Sequence, residues 1–150
     1  MQKLLYFLGG MVFVGTIIFY FGDNFITPSM PDREGEALVG DVIIDMKAVG
    51  GSGESGRVAL TFMGAKTKIS LRLDGAPYGT LQPAHIHKGT CENIGEEAKY
   101  KLTFPATGSS ESVVEASLEE LRAAGPLVID IHKSFAEDKK VVSCGELRFN

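Results

Sequence analysis

The chain has 150 residues, enough for one domain with a genuine hydrophobic core and too few for two of ordinary size. Its formal net charge of −4 at pH 7 lacks the basic excess that phosphate contacts require, which sets nucleic acid aside as a partner. Apolar residues make up 44% of the sequence, and part of that share is gathered in one N-terminal stretch.

That stretch, Leu4 to Phe21, has no charged residue and follows Lys3. As a helix its 18 residues, at about 1.5 Å each, would extend roughly 27 Å, close to the hydrocarbon thickness of a bilayer. Residues 1–22 are therefore expected to form a transmembrane anchor or signal segment. Lys3 before the run and Asp23 after it bias the N-terminus toward the cytoplasm and send the remainder outward. No Ala-x-Ala pattern follows, and the run is long for a signal-peptide core, so an uncleaved anchor is the favoured form; cleavage would make the protein secreted. Either way the remainder is expected in the periplasm or the extracellular space, with the membrane as a partner through this helix.

Residues 23–36 hold Pro28 and Pro31 among Asp23, Asn24, Ser29, Asp32 and Arg33, a polar, proline-broken linker. The folded domain is expected over 37–150. It opens with a strand-like segment, Ala37 to Val49, and then Gly50-Gly51-Ser52-Gly53 as a flexible connection. Val58, Leu60 and Phe62 alternate with their neighbours in a second segment, and Ile69, Leu71 and Leu73 alternate with Lys68, Ser70 and Arg72 in a third. Strict period two marks a half-buried strand, one face to the core and one to water, and suits an antiparallel sheet. Pro83 to Gly89 is a further segment, carrying His85 and His87, and Tyr100, Leu102 and Phe104 repeat the alternation with Lys99, Lys101 and Thr103 toward water.

One helical signal interrupts the strands. Ser117-Leu118-Glu119-Glu120 is a capping-box sequence that leads into Leu121 to Ala124 and stops at Gly125-Pro126, predicting one or two turns. Strands resume at Leu127 to His132 and at Val141 to Phe149. The pattern as a whole is all-β, a sandwich or small barrel of about eight strands.

The sequence has three histidines, all in two of these segments. Period two puts His85 and His87 on one face of theirs. On Leu127 to His132 it turns Leu127, Ile129 and Ile131 to the core and leaves Val128, Asp130 and His132 outside. If the two strands are neighbours, three neutral imidazoles converge on an outer wall, and imidazole is a ligand for zinc, copper, iron or nickel. Paired strand histidines often bind nothing, so the spacing permits a metal site without requiring one. The two cysteines, Cys91 and Cys144, form an even count that in an exported domain favours a disulfide over two buried thiols or two metal ligands.

In that order, His85-Ile86-His87, Cys91, Leu127-Val128-Ile129-Asp130-Ile131-His132-Lys133 and Cys144-Gly145 resemble copper/zinc superoxide dismutase over roughly 37–150. The resemblance implies an eight-stranded Greek-key β-barrel, His85, His87 and His132 as copper ligands, and a Cys91–Cys144 disulfide. There are departures. The family's copper-to-zinc bridging histidine and the zinc ligands of its loop after the first cysteine have no counterpart, since Cys91 to Tyr100 contains none. Val141 stands where the family has an arginine that guides superoxide, with Lys139 and Lys140 just before it. The Pro-Ala-His-Ile-His-x-Gly wording is also similar to chordin-type (CHRD) domains.

The resemblance therefore implies an exported copper-binding domain that either dismutes superoxide or handles copper through three histidines. Copper is the expected ion and zinc the second choice; Lys88, Lys133, Lys139 or Lys140 would supply positive potential for an anion. The alternative is a metal-free adhesion or scaffolding module of the same fold, tethered at the membrane, whose histidines are ordinary surface residues and whose protein partner is unidentified. A zinc hydrolase would need a general base, for which Asp130 and Glu137 are the candidates. No residue is assigned a catalytic role.

Overall fold

The protein is described here by a computed structural model over residues 38–149; the expected anchor over 1–22 and linker over 23–36 lie outside the described residues. Eight strands and one short helix follow in chain order: β1 (Val42–Ala48), β2 (Ser55–Met63), β3 (Lys66–Asp74), β4 (Ala84–Thr90), β5 (Asn93–Leu102), β6 (Ser109–Val114), α1 (Leu118–Ala123), β7 (Leu127–His132) and β8 (Val141–Glu146). All pairings are antiparallel, and hydrogen-bonded neighbours run β5-β4-β7-β8-β1-β2-β3-β6. The sheet curls into a half-barrel. Its two end strands approach each other, and Thr103, just past β5, donates its backbone N–H to Ser112 Oγ on β6 at 2.8 Å. Among the described residues no helix is long and apolar enough to cross a membrane.

The inner face of the curl is built by the alternation visible in the sequence. Val58 and Leu60 of β2, Ile69, Leu71 and Leu73 of β3, Ile86 of β4, and Leu127, Ile129 and Ile131 of β7 join one core. Removing such side chains from water is the main favourable term in the fold. The capping box forms as the sequence predicts: Ser117 Oγ accepts the Glu120 backbone N–H at 3.2 Å, and the Glu120 carboxylate accepts that of Ser117 at 2.8 Å. The helix that it starts delivers Leu121 into the core.

Two expected core aromatics lie outside. Phe62 is 61% exposed and Phe104 40%. Phe62 is next to last in β2. β5 stops at Leu102, so Phe104 is no longer held by strand geometry and packs edge-on against Phe135, ring centroids 5.2 Å apart.

Candidate metal centre

β4 and β7 are direct neighbours, which meets the condition for the histidines to converge. The register sets His85 opposite Asp130 and His87 opposite Val128, and His132 donates its backbone N–H to Pro83 O at 2.8 Å, just before β4. Opposed residues of an antiparallel pair share a face. His85, His87, Asp130 and His132 therefore lie together on the face turned away from the core. The ladder slips at Ile86/His87 and His87/Gly89 between β4 and β5, and at Ile131/His132 between β7 and β8. A bulge bends its strand and re-aims its side chains; here the slips fall at two of the three histidines.

The outer face proves to be buried, which corrects the expectation of histidines on a wall open to water. Val128 and Asp130 have no measurable exposure, His87 is 6% and His132 9% exposed, and His85 is part-buried. Asp130 is opposite Cys144 of β8, and Cys144 is bonded to Cys91 with the Cα atoms 5.8 Å apart. The disulfide is thus on the histidine face and holds the chain after β4 across β7. Cys91 also donates its backbone N–H to Glu146 Oε1 at 3.4 Å.

Within this cover the donor atoms point at one another. His87 Nδ1 lies 2.7 Å from the Gly95 carbonyl, which can only accept, so Nδ1 donates and in the neutral ring the lone pair is on Nε2. That Nε2 is 3.6 Å from Asp130 Oδ1. Asp130 Oδ2 is 3.2 Å from His132 Nε2, which in turn is 3.1 Å from His85 Nδ1. Among the described residues no hydrogen bond of good geometry reaches His87 Nε2, either oxygen of Asp130, or His132 Nδ1.

One donor from each of the four residues lies within 4.8 Å of every other. Ligands about 2.1 Å from a shared tetrahedral ion stand about 3.4 Å apart; His85 to His132 at 3.1 Å is close to that, as are His132 at 3.2 Å and His87 at 3.6 Å from the two different oxygens of Asp130. Burial lowers the pKa of His85 against the opposing pull of the Asp130 charge, which keeps that ring neutral and able to ligate. The Asp130 carboxylate beside it raises the pKa of His132, so a proton competes with a metal ion there. Three imidazoles and a carboxylate fit a divalent first-row ion without singling one out.

Asp130 is the member of the group that the histidine pattern alone does not assign as a ligand. Its signal is the Asp130-x-His132 spacing on a strand that faces His85-x-His87. Glu137 lies outside the cluster and pairs with Lys133, which reduces the free positive charge available there. Comparison of the chain with protein-family profiles, with curated proteins and with solved structures finds no match, so what this centre can do rests on its own donors.

Proposed function

We propose that the chain is an exported, membrane-tethered copper-binding domain of the superoxide dismutase-like kind, with His85, His87 and His132 as ligands. One observation carries the reading: the donor atoms of His85, His87, Asp130 and His132 converge within 4.8 Å of one another, with the fully buried Asp130 carboxylate 3.6 Å from Nε2 of His87. Two electron-rich groups withdrawn from water repel each other and call for a cation between them. In a metal-free scaffolding module a proton on His132 would have to supply that positive charge. Further support comes from the strand order: joining β5 to β6 would close the ring β1-β2-β3-β6-β5-β4-β7-β8, a Greek-key barrel of the kind that the resemblance implies. The Cys91–Cys144 disulfide is compatible with a periplasmic or extracellular site.

Bound copper would supply one-electron chemistry. The chain supplies three imidazoles, one with Nδ1 turned to the Gly95 carbonyl, in a largely buried cluster beside the disulfide. Holding or delivering copper is favoured over dismuting superoxide, because no fourth histidine exists in the sequence and Val141 replaces the guiding arginine. Titrating the full-length protein with copper, and measuring its elemental content after purification from its native compartment, tests the reading. One copper per chain is expected. His132→Ala should weaken binding by about a hundredfold or more, above the usual effect of losing an outer-shell group. Unchanged affinity in that variant would sink the reading, and a superoxide assay on the copper-loaded protein separates turnover from holding.

A further inference from the structure

We infer that Asp130 is a fourth, directly bound ligand and that it makes the centre selective for Cu(II) over Cu(I). This rests on the copper reading above and adds to it the oxidation state that the domain holds. Three neutral imidazoles alone suit both states of copper. A carboxylate is a hard, anionic donor, poorly matched to soft Cu(I), and its charge stabilises a dication about twice as strongly as a monocation at the same distance.

The geometry separates a ligand from an outer support. A carboxylate that merely orients a metal-bound histidine sits behind the ring and takes its other N–H. His87 instead gives that N–H to Gly95 at 2.7 Å and turns its free Nε2 toward Asp130 Oδ1 at 3.6 Å. His132 likewise turns Nε2, the nitrogen nearest His85, toward Asp130 Oδ2 at 3.2 Å. The carboxylate therefore lies on the same side as the converging nitrogens. Its place is fixed by β7, which is paired on both sides, with His85 opposite Asp130 on β4 and Cys144 opposite it on β8.

The test compares full-length wild-type protein, Asp130→Asn and His87→Ala. Affinities for Cu(II), and for Cu(I) under anaerobic reduction, are read by competition with chromophoric chelators of each ion. Asn keeps the shape and removes the charge. The expected result is a loss of about tenfold or more in Cu(II) affinity with a change under about threefold for Cu(I), while His87→Ala weakens both. An equal effect on the two ions, or none on either, would overturn the role of Asp130 while His87→Ala still shows that the histidines bind. Wild-type protein that binds neither ion, or a His87→Ala variant that binds both as before, would overturn the copper reading and this inference together. A second measurement needs no variant: in Cu(II)-loaded wild-type protein grown on ¹³C-labelled aspartate, pulsed EPR should resolve a ¹³C coupling from a bound carboxylate, and its absence contradicts the inference.

Discussion

At the scale of single residues the centre depends on glycines as much as on histidines. Gly89 sits at the β4–β5 slip with φ of 118°, where an added Cβ would run into the Asn93 carbonyl. Such a backbone is strained for any L side chain. Gly89→Ala should therefore cost more than about 1 kcal/mol and weaken metal binding, because the same slip aims His87. Denaturant melts and copper titrations on one preparation check this; wild-type values in both would contradict it. Period two placed His85, His87, Asp130 and His132 on the correct faces. It carries no information on bulges, which depend on the partner strand, nor on burial of the outer face, which depends on segments that lie far apart in sequence, among them Cys91 and Cys144. That is why Asp130 could be placed beside His132 from the sequence while its closed surroundings could not.

At the scale of elements, local signals were the most legible. The segment Leu127 to His132 is a strand with those bounds, and four residues from Ser117 to Glu120 were enough to start α1. Phe62 and Phe104 misled because alternation continues in sequence after the strand has left the core. The α1 cap gives a pH-dependent prediction. Hydrogen bonds from the Ser117 backbone and hydroxyl hold the Glu120 carboxyl below its usual value of 4.5. A depressed folded pKa adds stability that is fully present above the unfolded value and is lost as pH falls through the folded one. Melting temperature followed downward from pH 5 should thus fall less steeply in Glu120→Gln than in wild type; parallel curves would exclude the linkage. Ser117→Ala should cost about 1 kcal/mol at neutral pH by leaving the Glu120 N–H uncapped.

At the scale of the whole molecule, two clasps act among the neighbouring strands β4, β7 and β8. The disulfide spans a sequence separation of 53 and ties the chain after β4 to β8. Loss of chain entropy in the unfolded state gives it about 4 kcal/mol. The proposed metal ion would tie His85 and His87 of β4 to Asp130 and His132 of β7, the strand over which the disulfide passes. A metal present at 100 times its Kd adds about 2.7 kcal/mol to stability, or roughly 10 °C in Tm for a domain of this size. Clasps that share strands are energetically coupled, so their effects should not simply add. In Cys91→Ser/Cys144→Ser the chain after β4 is free to lift from β7, the four donors lose their fixed separation, and the metal must order them as it binds. The same copper concentration should then raise Tm by clearly less than in wild type, with a weaker copper affinity measured by titration. An equal rise in the two proteins would mean that the centre is held by β4 and β7 alone, and that the disulfide stabilises the sheet without shaping the site.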